Sequence, residues 1–275
     1  MQLFGRIIQL LDTKMTTPEP YGAFHLIFLA LSILAVPLLL HFFKNPDERC
    51  VRRIILAFSV AVLILEIYKQ INYSFSFDGE KVTFDYQWYA FPFQFCSTPM
   101  YAGLLAAIIP QKRLHRALCA YLATFATFAG ICVMAYPVQI FVETAGINLQ
   151  TVLCHGSMIT LGIYLLASGY VKRESRTIGG AVAVFAVFIL GAMIMNEIAF
   201  RTGLLERETF NMFFISPYCE PSLPVYSEVQ RLVAFPFCTA IYVGAFSLAS
   251  YLILLISIGA ERLLRAVYLK RKKTA

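Results

Sequence analysis

Apolar residues fall into long runs that polar links interrupt at regular intervals. Seven runs stand out, at residues 21–43, 54–73, 87–109, 114–136, 150–170, 178–201 and 233–258. Each is near the ~20 residues an α-helix needs to cross a bilayer. They predict an all-α membrane protein with seven transmembrane helices. Residues 3–11 follow another pattern. Leu3, Phe4, Ile7, Ile8 and Leu11 share one helical stripe, with Gln2, Arg6, Gln9 and Asp12 opposite. Such a stretch is too short to span and suits the membrane interface. The expected organisation is an interfacial amphipathic helix over 1–15, a seven-helix transmembrane domain over 16–260 and a basic cytoplasmic tail over 261–275.

Composition agrees. Of 275 residues, 59% are hydrophobic and 14% charged, against about 25% charged in an ordinary soluble domain. No room is left for a separate soluble domain. The net charge of +7 reads by position as a topology signal, not as a nucleic-acid footprint. Lys44, Arg49, Arg52 and Arg53 fill one link, Lys112, Arg113 and Arg116 a second, and Lys172, Arg173 and Arg176 a third. Six more follow Arg262 in the tail, counting it. The intervening links hold only Arg6, Lys14, Lys81, Arg201, Arg207 and Arg231. By the positive-inside rule the N-terminus is outside and the C-terminus cytoplasmic, in a multi-pass protein of the cell membrane. The long outer link 202–232, with Pro217, Pro221 and Pro224, has the length of a lid or binding loop. The seven cysteines show no CxxC spacing, so no metal site and no cofactor is expected.

Topology converts position into depth. His25, Glu66, Lys69, Gln94, Cys96, His155, Asn196 and Glu197 all fall in the outer halves of their spans. Intramembrane polar groups are costly and usually face the bundle interior or a wet cavity. A shared cavity near the outer leaflet is the expectation, with Lys69 snorkelling outward. Spans one to three also look repeated as spans five to seven. His25 pairs with His155, Glu66 with Glu197, and AFPF at 90–93 with AFPF at 234–237. Span four would then be a linker in a three-plus-one-plus-three parallel repeat.

The stretch AFPFQFCSTPM at 90–100 carries the sharpest chemistry. Pro92 and Pro99 each remove a donor, releasing the carbonyls of Trp88 and Phe95 and kinking the span. Cys96 as nucleophile and His155 as base would support covalent catalysis. Glu66 or Glu197 could orient the imidazole, and Gln94 or Asn196 could donate to an oxyanion. A site opening into lipid favours an acyl chain. A second reading is a transporter of three-plus-one-plus-three architecture, moving protons on His25/Glu66 and His155/Glu197.

Pro-Phe-Gln-Phe-Cys at 92–96 resembles the Pro-Leu-(His or Gln)-Leu-Cys signature of the YwaF-like bacterial membrane proteins. CHGS at 154–157 and FNMFFISPYCEPSLPVY at 210–226, with Asn211 and Pro217, resemble further motifs of that family. An animal branch includes a polytopic acyltransferase that builds ether phospholipids through a cysteine and a histidine. The resemblance implies Cys96 as acyl acceptor and His155 as its base. Its partners would be membrane lipids, as acyl donor and lysolipid acceptor. Gln94 stands where many relatives have His, and Cys154 where an aromatic is common.

Overall fold

The computed structural model describes residues 2–274 except 138, 139, 207, 221, 222 and 224, and not the side chains of 270, 271, 273 and 274. Arg207, Pro221, Pro224 and the side chains of Lys270, Arg271 and Lys273 therefore lie outside the described residues.

The chain is mostly helical. α1 (Gln2–Leu11) is followed by α2 (Ala23–Phe42) and α3 (Glu48–Asn72). A short antiparallel hairpin, β1 (Phe75–Phe77) and β2 (Val82–Phe84), comes next. α4 (Thr98–Ile108), α5 (Lys112–Tyr121), α6 (Thr127–Ala135), α7 (Ala145–Ala167) and α8 (Thr177–Arg201) make up the middle of the chain. α9 (Tyr226–Leu232) and α10 (Phe237–Thr274) close it. Among the described residues, five helices are long and apolar enough to cross a membrane: Ala23–Phe42, Lys112–Ala135, Ala145–Ala167, Thr177–Arg201 and Phe237–Leu269.

The expected third span departs most from a helix. Only Thr98–Ile108 is regular, and residues 91–97 are turns and irregular backbone. The two prolines explain this. A residue before proline is pushed out of the α region, and Phe91 has φ −49° and ψ 135°. The carbonyls that proline leaves unpaired find other donors. The Trp88 carbonyl accepts the Phe91 N–H at 3.1 Å, and the Phe95 carbonyl accepts the Thr98 hydroxyl at 2.7 Å. Irregular backbone at membrane depth survives only where such partners exist.

α5 and α6 run on as one helix through a π turn at Leu122–Ala126. The Thr127 hydroxyl donates to the carbonyls of Leu122 and Ala123, at 3.3 and 3.1 Å. α7 comes close here because Gly162 has no side chain: a Cβ would stand 1.7 Å from the Thr127 hydroxyl. Between transmembrane helices lipid supplies no hydrophobic driving force, so small residues and close packing decide association. The core above this contact is aromatic. Phe125 stacks on Phe185 at 4.5 Å, and Phe95, Phe213 and Phe246 surround Phe185.

One end of the bundle is dressed by the non-helical pieces. α1 lies on the hairpin, with Phe4 edge-on to Phe75 at 5.4 Å. The Tyr68 hydroxyl donates to the Leu11 carbonyl at 2.7 Å, and the Met15 N–H donates to the Glu143 carbonyl at 2.7 Å. The hairpin turns at Asp78–Lys81, where Gly79 has φ 104°. The backbone N–H groups of Lys81 and Glu80 donate to the Asp78 carboxylate and hold its pKa below the usual value. At the opposite end lie the basic links. There α10 continues past the expected start of the tail, and Glu261 pairs with Arg173 at 2.9 Å. Residues 261–274 of the expected tail continue α10 as helix.

Candidate active site

A cavity of about 200 Å³ lies between α3, the irregular stretch before α4, and α7. Val62, Glu66 and Lys69 line it from α3, Gln94, Cys96, Ser97 and Met100 from the stretch and α4, and Gln150, Thr151, Cys154 and His155 from α7. Cys96 stands just before Ser97, the N-cap of α4. It sits there because the chain between Pro92 and Pro99 cannot coil into a helix, so the backbone drops into the bundle before α4 starts.

His155 is held by its own helix. Its Nδ1 donates to the Thr151 carbonyl at 2.7 Å. That bond sets the tautomer: Nδ1 carries the proton and Nε2 keeps its lone pair. Nε2 makes no hydrogen bond among the described residues, and neither does the Cys96 thiol. Gly130 of α6 backs this turn, where a Cβ would lie 2.6 Å from the His155 carbonyl oxygen. Cys96 and His155 are both half-buried and line one cavity with no hydrogen bond between them.

Glu66 is buried at 6% exposure. Its Oε1 accepts from Lys69 Nζ and from Gln70 Nε2, each at 2.8 Å. Gln70 in turn donates to the Ala90 carbonyl at 2.8 Å and accepts the Tyr86 hydroxyl at 2.7 Å. Lys69 therefore does not snorkel outward. It turns back one helical turn and puts its charge in the cavity wall, because a buried carboxylate needs a counter-charge. Glu66 makes no contact with the imidazole; a backbone carbonyl does the orienting.

The other predicted site residues lie elsewhere. His25 is fully buried at the start of α2. Its Nδ1 accepts the Tyr21 N–H at 3.2 Å, and its Nε2 donates to the Met134 carbonyl at 3.0 Å. It ties two helix ends and does not meet Glu66. Asn196 is buried but points at the link 202–232, where its amide both accepts from the Met212 N–H at 2.8 Å and donates to the Met212 carbonyl at 3.1 Å. Glu197, its neighbour, faces away from the bundle interior, and its carboxylate binds Arg201 and the Tyr218 hydroxyl, each at 2.6 Å. Asn211 is spent within the link, its Oδ1 accepting the Ser216 N–H at 2.9 Å. Gln94 lines the cavity with its side chain turned to the same link: it donates to the Asn211 carbonyl at 3.0 Å and accepts the Phe213 N–H at 2.9 Å. Four predicted residues thus converge on the cavity, namely Cys96, His155, Glu66 and Gln94, while His25, Asn196, Glu197 and Asn211 do not.

The cavity also holds a second thiol. Cys154 is buried, with Gln150 Nε2 donating to its sulfur at 3.5 Å. Its position next to His155 at matching depth was the available signal. Among the described residues no three His, Cys, Asp or Glu side chains gather as a metal ion requires.

A family model described as the TMEM164 family matches residues 20–257. No curated protein matches the chain, and no solved structure does. The match covers most of the chain, which therefore belongs to the TMEM164 family, a family of membrane proteins.

Proposed function

We propose that this TMEM164-family membrane protein is a lipid acyltransferase that carries the acyl group on Cys96, with His155 as the base. One observation carries the reading: thiol and imidazole open onto one cavity, and the imidazole nitrogen left unprotonated is the one free of backbone contact. In the first half-reaction Nε2 of His155 takes the thiol proton and the thiolate attacks an ester carbonyl of a membrane lipid. The C–S bond forms, the ester C–O bond breaks, and the imidazolium returns its proton to the departing lysolipid alkoxide. In the second, His155 deprotonates an acceptor hydroxyl, which attacks the thioester and releases the thiol. Lys69, paired with Glu66, supplies positive charge beside the developing oxyanion. The likeness of residues 92–96 and 154–157 to the YwaF-like proteins and their acyltransferase branch supports the same chemistry.

The reading includes seven crossings, with α3 and the stretch 87–109 as the second and third. It places the N-terminus and the hairpin end outside the cell membrane. The transporter alternative needs two equivalent proton-handling halves. His25 and Glu197 do not mirror His155 and Glu66 in their surroundings, so the enzyme reading is preferred.

The test is the covalent intermediate. Incubation with membrane phospholipids should add an acyl mass to the peptide bearing Cys96, removable by hydroxylamine. Cys96→Ser should retain the fold and lose transfer. His155→Ala should lose about 10²–10⁴-fold, with the double variant little worse than either single one. Full transfer by Cys96→Ser would end the thioester mechanism.

A further inference from the structure

A gap larger than the thiol cavity lies away from the thiol. α2 and α3 are joined by residues 43–47, yet they hardly pack against each other. α2 lies along α7, and α3 lies along α4 and α7. The two consecutive helices splay, and the groove between them has a volume of about 870 Å³. Phe28, Leu31, Ala35 and Leu39 of α2 form one wall, and Ile54, Ala57 and Phe58 of α3 the other. Leu153, Ser157, Thr160 and Leu161 of α7 make the floor. The floor hydroxyls are spent on backbone. Thr160 donates to the Ser32 carbonyl at 2.7 Å and Ser157 to the Cys154 carbonyl at 2.8 Å. The surface offered is therefore apolar. The thiol cavity uses a different face of α7, that of Thr151, Cys154 and His155.

At the basic-link end the groove opens beside Arg49 and Arg53. Both are exposed, and neither has a carboxylate partner among the described residues. Their neighbour Arg52 is already paired with Glu48 at 2.8 Å. Asp47, the acidic residue at this mouth, accepts the Cys50 N–H at 2.7 Å as the cap of α3. From Phe28 to Phe43 the groove follows α2 for roughly 22 Å at 1.5 Å per residue. One leaflet's hydrocarbon is about 15 Å deep. The groove thus has the length of one acyl chain plus the start of a headgroup, with free cations at the headgroup end only.

We propose that this groove is a binding site for an anionic glycerophospholipid of the leaflet at the basic-link end. Its phosphate sits on Arg49 and Arg53 and one acyl chain fills the gap between α2 and α3. The inference is independent of acyl transfer at Cys96. A helix pair that leaves an unfilled space in a membrane forfeits the packing that holds such helices together. A chain in the groove restores those contacts, and the two arginines select the headgroup.

The full-length protein in mild detergent, titrated with phosphatidylglycerol or with phosphatidylcholine of the same chains, reads this by native mass spectrometry. Phosphatidylglycerol should be retained in preference. Each lost arginine should weaken its retention by about fivefold, the worth of one cation near a lipid phosphate. Arg49→Gln with Arg53→Gln is the variant. Arg262→Gln with Arg265→Gln, an equal charge loss on α10, should leave retention unchanged. Ala57→Phe should obstruct the chain and lower retention of both lipids. A phosphatidylglycerol with a diazirine at the chain end, photolysed on the parent protein, should cross-link to α2 near Leu31 or to Leu153. Equal losses from the two arginine pairs, or cross-links confined to α10, would overturn the proposal. Retention in Cys96→Ser should equal that of the parent.

Discussion

Asn196, buried in α8, grips one residue. Its amide satisfies both backbone groups of Met212, at 2.8 and 3.1 Å. Met212 is fully buried, so neither group has water as an alternative partner. Asn196→Ala removes both bonds. Each orphaned buried group costs about 1–3 kcal/mol, giving a loss of about 2–6 kcal/mol. That is a large fraction of the 5–15 kcal/mol typical of a folded protein. Asn196→Asp separates the two bonds: one oxygen still accepts the Met212 N–H, while the other meets the Met212 carbonyl, lone pair against lone pair. With a carboxylate buried against that carbonyl, it should be destabilised at least as much as alanine. Gln94→Ala loosens the same link one residue to each side. Because both amides hold one segment, the double variant should be destabilised by less than the sum. Phe213 and Phe214 give the link a reason to spring away once released, since both have positive φ, 57° and 58°, which costs a bulky residue on the order of 1–3 kcal/mol. The assays are thermal unfolding in detergent and limited proteolysis between Gly203 and Tyr226. Asn196→Ala within about 0.5 kcal/mol of the parent, with no faster cleavage of the link, would refute the clamp.

Gly130→Ala should destabilise by about 1–3 kcal/mol, because the new Cβ meets the His155 backbone oxygen at 2.6 Å; Gly179→Ala, with nothing within 4 Å, should be neutral or slightly stabilising in the same unfolding assay. Lys69→Met leaves the buried Glu66 without its cation and should cost up to about 3–5 kcal/mol, most of it recovered when Glu66→Gln is added; equal stability of single and double variants would show that the pair is not coupled. On intact cells an impermeant maleimide should label Cys219 and spare Cys50, and labelling of Cys50 alone would invert the proposed orientation.

Depth was legible in the sequence; direction around a helix was not. Hydropathy placed the helix ends within a few residues for α2, α5–α6, α7 and α8, since lipid punishes any polar backbone or charge left inside. It also put Cys96, His155 and Glu66 at one level, and the cavity lies there. Adjacent residues on a helix, however, point about 100° apart. Of Asn196 and Glu197 only one can face inward, and the amide does, because an ionised carboxylate is the costlier group to bury. His25 had a readable alternative: in the first turn of a helix whose N-cap is Gly22, an imidazole can accept a backbone N–H that nothing else satisfies. Lys69 has its partner Glu66 one turn back on the same helix face, and that spacing outweighs the length of its side chain as a guide to where the charge goes.

The stretch 87–109 shows most clearly where a pattern of apolar residues stops being informative. Residues 87–109 have the hydropathy of a helix, yet two prolines seven positions apart leave space for only one turn of regular helix between them. The structure resolves the conflict by spending side chains on backbone. Thr98 serves Phe95, Tyr101 serves Pro92 at 2.8 Å, and Gln94 reaches across to the link 202–232. Each of these side chains is then unavailable for chemistry, which removes Gln94 from the list of free oxyanion donors. Among the described residues, Cys96 and its neighbour Ser97 are the polar side chains between the prolines that no backbone group claims. A stretch that must break the helix, and that uses Gln94 and Thr98 to make the break tolerable, delivers the Cys96 thiol and the Ser97 hydroxyl unengaged to the cavity that His155 also lines.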